Sequence, residues 1–173
     1  MAMGGSTNTV LHTLALAHEA GIKYDLKRIE QISKATPNVI KISPSRMDVH
    51  IEDVHKVGGV GAILKAVSAD GNKFLDLDAP TVYGKLADYV LKSPDPDGDI
   101  LRPKARAFSP EGGLCVLFGN IARKGAVLKT AGVENDMLTF SGPAKIYESQ
   151  EQALEAILKG KVKDGDVVVI RYE

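Results

Sequence analysis

Five consecutive residues near the start of the chain, Gly4-Gly5-Ser6-Thr7-Asn8, are of the types that receive an anion. Two glycines permit a sharp turn, and Ser6, Thr7 and Asn8 each carry a side-chain oxygen able to accept from the unpaired N–H groups of a helix's first turn. Val10, Leu11, Leu14, Ala17 and His18 follow at the three- and four-residue spacing of one helix face. The segment is therefore expected at a buried helix N-terminus, where spare N–H donors and the positive end of the helix dipole suit a carboxylate or phosphate. A plain helix cap uses the same residues, and the glycine pair lacks the fuller spacing of the phosphate-loop fingerprints. From the residues alone, both readings stand.

Other chemistry-bearing residues are more scattered. In Asp48-Val49-His50-Ile51-Glu52-Asp53-Val54-His55, a helix would place Asp48, Glu52 and His55 on one face, two carboxylates and an imidazole facing a metal. A solvated polar face uses the same residues and is the stronger reading, and His50 and His55, five apart, point away from each other on a helix. Lys85, after Gly84, could meet an anionic substrate, and Ser43-Pro44-Ser45-Arg46 reads as a turn. Ser6 has no nucleophile elbow around it, so hydrolase chemistry is not indicated. The single cysteine, Cys115, excludes an internal disulfide and a cysteine-cage metal site within the chain; its setting, Leu114-Cys115-Val116-Leu117-Phe118, is that of a buried, inert thiol.

The elements that must position these residues follow from patterning. The first helix closes at Ala20-Gly21. A second begins at Asp25 as N-cap, carries Leu26, Ile29 and Ile32, and stops at Thr36-Pro37. Asn38 to Ile42 is short, β-branched and bounded by prolines, as a strand would be. Met47 to Val67 reads as two helical pieces broken at Gly58-Gly59. Pro80 sits where a short helix running to Leu91 would begin. Beyond it the pattern turns strand-like over 114–119, 125–131, 138–147 and 166–172. Ser149 and Gln152 form a capping box for one more helix, ended by Gly160. The β-branched run Val167 to Ile170 predicts a strand buried on both faces.

Lys92-Ser93-Pro94-Asp95-Pro96-Asp97-Gly98-Asp99 interrupts the chain with prolines, a glycine and three acids, and a boundary belongs there. The division expected is 1–92, a linker at 93–104, and 105–173. The fold class is α/β overall and α+β in this stretch: a mainly helical first half, then a β-rich second domain with one helix.

Composition limits the partners. Acidic and basic residues number 22 each, and aromatic residues make up 5% of the 173, which leaves no basic stacking surface for nucleic acid. Apolar runs fall far short of the roughly 20 residues that span a bilayer, so no membrane partner is expected, and the expected location is cytoplasmic.

The motifs also carry a resemblance. Gly4 to His12, with Ala15-Leu16-Ala17-His18-Glu19-Ala20-Gly21-Ile22, resembles the middle of the dihydroxy-acid dehydratase family, which includes the sugar-acid (phosphogluconate) dehydratases. The resemblance continues in order through Ile51 to Val60, Ser109 to Leu114, Phe118 to Ala122 with Gly125 to Lys129, and Gly142-Pro143-Ala144 on to Arg171-Tyr172-Glu173.

What the resemblance implies is a hydro-lyase that converts 2,3-dihydroxy carboxylic acids to 2-oxo acids, in branched-chain amino-acid biosynthesis. The implied cofactors are an iron–sulfur cluster and Mg²⁺, the partner is a small dihydroxy acid, and the assembly is a homodimer. The family's cluster cysteines lie upstream of Gly4, and its magnesium-ligating glutamate and catalytic serine downstream of Glu173, which is not itself the ligand. This chain would thus be an interior fragment, inactive alone, holding neither cofactor and no catalytic residue. Residues 1–92 would close the family's cluster-bearing domain and 105–173 would open its β-rich C-terminal domain. Asn8 to His12 and Asp53 to Lys56 sit closer to the branched-chain branch than to the sugar-acid one. A non-enzymatic module that binds an anion or a partner protein is the reading from another class.

Overall fold

The computed structural model of the chain describes residues 1–71 and 73–172, so the expectation placed on Glu173 lies outside the described residues. Helices and small two-stranded sheets make a mixed α/β chain, as the patterning predicts. Packing separates two compact units, Met1–Val133 and Glu134–Glu173.

The first unit is organised around Asn38-Val39-Ile40, which is fully buried. The carbonyl of Ala2 accepts from Val39 N (2.9 Å), the carbonyl of Val39 accepts from Arg102 N (2.8 Å), and Asn38 exchanges bonds with Ser109 and Phe108 (2.9 and 2.8 Å). These are single bridges, Asn38 with Ser109 and Ile40 with Leu101, where the patterning predicts a strand. Pro103, which has no N–H, follows Arg102 and stops the ladder. Around this centre lie α1 (Asn8–Glu19), α2 (Leu26–Ala35), α3 (Ile51–Lys56) and α4 (Gly59–Ser68). Val39, Ile40, Val54, Ala62, Ile63, Ala66, Val67 and Leu101 form one core cluster, and Val10, Ile29, Leu114 and Val116 a second.

Local chemistry explains the helix ends. Asp25 accepts from Arg28 N at 2.8 Å and so caps α2. The expected break between α3 and α4 falls at Val57-Gly58, although α3 begins at Ile51 rather than Met47, with Val49 buried ahead of it. The helix expected from Pro80 is a correction: β1 (Pro80–Thr81) and β2 (Gly84–Lys85) form a hairpin, and the helix, α5, is Leu86–Lys92. Thr81 Oγ1 donates to the carbonyl of Gly84 (2.8 Å) and accepts from Tyr83 N (3.2 Å), which closes a turn where the helix was expected to start.

The stretch 93–104 forms no regular element beyond a bridge at Leu101 and the start of a short 3-10 helix at Lys104, yet its end packs into the unit. Asp97 accepts from the amides of Ile100 and Leu101 (3.2 and 2.7 Å) and thereby delivers Leu101 to the core. The last pieces are β3 (Cys115–Leu117) and β4 (Ala126–Leu128), an antiparallel pair shorter than the patterning predicts.

The second unit is a β-α-β arrangement. β5 (Ala144–Tyr147) and β6 (Val167–Ile170) pair in parallel, which needs a crossover, and α6 (Gln150–Leu158) supplies it. Ser149 caps α6 by accepting from Gln152 N (3.2 Å), while Gln152 accepts from Glu148 N (3.2 Å), much as the capping box predicts. Ala153 and Ala156 are its buried positions. The expectation that β6 is buried on both faces is corrected: Val168, Val169 and Ile170 are exposed, because among the described residues the pair has α6 packed with it and no further strand.

Candidate functional site

The Gly4–Asn8 segment splits into a buried half and an exposed half. Gly4 is buried at φ +55°, a left-handed conformation that glycine adopts without strain. A Cβ on Gly4 would lie 2.4 Å from the Cβ of Ala131, and a Cβ on Gly113 would lie 2.4 Å from the Cα of Gly4 and 2.8 Å from Ala131 Cβ. The two backbones therefore approach as closely as glycine allows, with the Ala131 methyl against both. The carbonyl of Met1 accepts from Gly4 N and from Gly113 N, each at 3.1 Å, and the carbonyl of Gly113 accepts from Ala131 N at 3.2 Å. Ser33 fixes the neighbouring residues, its carbonyl accepting from Gly112 N (2.8 Å) and its hydroxyl donating to the carbonyl of Leu114.

Asn38 stands beside this crossing. Its Nδ2 donates to the carbonyl of Ala2 at 3.3 Å, while its buried Oδ1 has no partner among the described residues. Asn38, Gly113 and Ala131 were not singled out as site residues by sequence reasoning. A signal existed for Asn38, since an amide ahead of Val39 and Ile40 in an apolar run is buried only where something bonds it. Nothing local links Gly113 or Ala131 to Gly4.

Ser6, Thr7 and Asn8 are exposed, which corrects the expectation of a buried helix N-terminus. Only Val10 of α1 is fully buried, with Leu14 packed beside it, and Leu11, expected on the buried face, is 66% exposed. The reason is geometric: α1 meets the second core cluster along a narrow strip and nothing in the unit covers its flanks. Thr7 occupies the N-cap position without a side-chain bond, and Ser6 Oγ accepts from Asn8 N at 3.2 Å instead. The carbonyls of Ser6 and Thr7 accept from Thr9 N and Val10 N at 3.0 Å. Among the described residues no acceptor meets the amides of Gly5, Ser6 or Thr7, so the turn presents donors at the positive end of a 12-residue helix.

The structure disperses the other candidates. Asp48 precedes α3 and pairs with Arg46, which also reaches Asp99 (3.2 and 3.1 Å); that guanidinium holds the Asp48 carboxyl below the usual range. Asp53 accepts from Lys56 Nζ (2.9 Å) and His50 N (3.0 Å), and the lysine, then the amide, hold its pKa down as well. Glu52 and His55 are exposed, and the described residues include no group of three or more His, Cys, Asp or Glu placed to hold a metal. Lys85 is paired with Asp78 at 2.9 Å. Cys115, expected to be buried, is half-buried on β3, where the loss of water and then the nearby Glu30 and Glu111 push its thiol pKa up, so it stays protonated and a poor nucleophile. A hollow of about 450 Å³ between α4, α5 and Pro96 and Pro103 is apolar apart from Ser68, the Lys65–Asp95 pair and Lys104, and does not include Gly4–Asn8.

Comparison with known proteins matches the chain in two segments. Residues 1–89 match the family model described as dihydroxy-acid/6-phosphogluconate dehydratase N-terminal, and residues 99–173 match the corresponding C-terminal one. Proteins named dihydroxy-acid dehydratase from Akkermansia muciniphila, Aquifex aeolicus and Nitratiruptor are 54%, 51% and 47% identical to it over 174 aligned residues. Each alignment covers 100% of this chain, and the chain spans 31% of the length of each of these relatives.

Proposed function

Because this chain belongs to the dihydroxy-acid/6-phosphogluconate dehydratase family, we propose that the protein carrying it removes water from a 2,3-dihydroxy carboxylic acid. The C2 proton and the C3 hydroxyl leave together as water, and the resulting enol rearranges to a 2-oxo acid. The observation that carries this reading is the 54% identity, over all of this chain, to a protein named dihydroxy-acid dehydratase. Branched-chain dihydroxy acids are the preferred substrates in this proposal, supported by the Asn8 to His12 and Asp53 to Lys56 motifs. A homodimer in the cytoplasm belongs to the same proposal. No described helix is long and apolar enough to cross a membrane.

The chain's own part is to hold the Gly4–Asn8 turn toward the substrate. The crossing of Gly4, Gly113 and Ala131 fixes that turn to both family segments, and the unpaired amides of Gly5 to Thr7 suit a carboxylate. The iron–sulfur cluster and Mg²⁺ implied by the resemblance do not fit the residues present: Cys115 is one protonated thiol, and the described carboxylates and imidazoles are not grouped. In this proposal their ligands belong to the remainder of the protein.

The test is to supply the whole protein with a branched-chain 2,3-dihydroxy acid and, separately, with 6-phosphogluconate, and to measure 2-oxo acid formation. Turnover of the first supports the proposal. Turnover of the second alone would move the protein to the sugar-acid branch. Turnover of neither, with saturable binding of either acid, would favour the binding-module reading.

A further inference from the structure

Two cations converge on one aromatic ring at the centre of the first unit. The guanidinium of Arg102 lies 3.8 Å from the ring centroid of Phe108, and the ammonium of Lys41 lies 5.5 Å from the same centroid. All three residues are half-buried. Their backbones are locked to the buried centre of the fold: Arg102 N donates to the carbonyl of Val39, Phe108 N donates to the carbonyl of Asn38 (2.8 Å each), and Leu101 bridges Ile40, the residue before Lys41. The fold thus brings both side chains to one ring.

No carboxylate among the described residues lies within ion-pair distance of either group, and neither head group donates a hydrogen bond to a described residue. Arg46, Lys56 and Lys65 of the same unit, by contrast, each have an aspartate on them. Both cations lie against one ring without a carboxylate among the described residues, and an oxyanion would supply the missing counter-charge while accepting charge-assisted hydrogen bonds from a planar fork or an ammonium. Phe108 contributes a cation–π seat that holds the guanidinium beside the ring.

We propose that Lys41 and Arg102, seated on Phe108, form a binding site for a small oxyanion, a carboxylate or phosphate group of a ligand. The proposal goes beyond the dehydratase reading and does not depend on it. The ligand's charged group is either the carboxylate of the acid that is turned over or a separate phosphate or carboxylate metabolite.

The experiment uses the whole protein, with inorganic phosphate and malonate as probes at constant ionic strength set by sodium chloride. Thermal midpoint is followed against probe concentration for the wild type, for K41M/R102M, for R102K, and for a control in which the exposed Lys161 is replaced, K161M. A saturable rise in the wild type and in K161M, weakened about tenfold or more in K41M/R102M, is expected, since removing charge-assisted bonds to a bound anion has effects of that order. R102K, which keeps the charge and loses the fork, should fall between them and guards against misfolding of the double variant. A wild-type midpoint that follows only ionic strength, or a double variant that retains the full rise, overturns the proposal. Turnover then separates the sources: a KM for the dihydroxy acid raised about tenfold in R102K or the double variant with kcat retained assigns the site to the substrate carboxylate, and an unchanged KM with the phosphate response lost assigns it to a separate anion. If no acid is turned over, the dehydratase reading fails while the midpoint measurements still decide this one.

Discussion

At Gly4 the effect of one methyl group can be derived from what it would touch. Gly4→Ala forces an L residue into a left-handed conformation and drives its Cβ to 2.4 Å from the Ala131 methyl. Together, backbone strain and overpacking are worth roughly 2–4 kcal/mol. Because the Asn38 and Gly113 atoms near that Cβ are at 3.5 and 3.8 Å, ordinary contacts, the clash is with Ala131 alone. Adding Ala131→Gly should therefore restore more than half of the loss, leaving about 1 kcal/mol of backbone strain. Urea unfolding of the single and double variants checks this, and strictly additive losses would mean that the contact is not the cause. A second residue-scale expectation concerns acid. Asp48 and Asp53 both have folded pKa values held below the unfolded one, by Arg46 and by Lys56 first of all. Each therefore contributes stability that is present above the unfolded value, about 4, and disappears as pH falls through the lower folded value. The wild type should lose more stability below about pH 4 than D48N/D53N does, and parallel acid profiles would contradict the assignment.

Elements whose signals are local were legible in the sequence. The Asp25 cap of α2 and the Ser149 cap of α6 appear where their side chains imply, because a cap is decided within four residues. Asp25→Ala should accordingly destabilise the chain by about 1 kcal/mol in urea unfolding. Pro80 misled because a proline suits both the first turn of a helix and an edge strand, and the deciding bonds, from Thr81 to Gly84 and Tyr83, were not part of that pattern. The segment Asn38 to Ile40 is extended as its residue types suggest. Its position at the centre of the unit was not legible, since its partners Ala2, Leu101, Arg102, Phe108 and Ser109 come from distant parts of the chain. Ile40→Ala should remove about 2–5 kcal/mol, the range for a fully buried aliphatic side chain, whereas Leu11→Ala on the exposed side of α1 should change stability by less than about 0.5 kcal/mol. Comparable losses at the two positions would show that the core has been misplaced.

On the scale of the whole molecule, the ordered motifs were enough to place the chain in its family, while burial was the property read least well. Leu11 on α1 and Val168 to Ile170 on β6 have apolar patterns that promise burial, and all are exposed. Periodicity reports that a face is apolar; what covers it depends on elements that a pattern of one segment does not contain. The same holds for the candidate site. The residue types at Gly4 to Asn8 announced a turn leading into a helix, and the fold adds that Gly4 is locked against Gly113 and Ala131 while Ser6 to Asn8 stay open. The central claim, that this turn serves the dehydration of a dihydroxy acid, can be tested at Gly5. A Cβ there meets only Thr9 Oγ1, at 3.7 Å, so a side chain is accommodated without disturbing the crossing. The measurement is kcat/KM for the dihydroxy acid in the whole protein carrying Gly5→Val, set beside its melting temperature. The account predicts a fall of about tenfold or more in kcat/KM, equivalent to at least about 1.4 kcal/mol of lost transition-state stabilisation, with little change in melting temperature. Unchanged kcat/KM in a protein that carries the valine would show that the segment is a helix cap and nothing more.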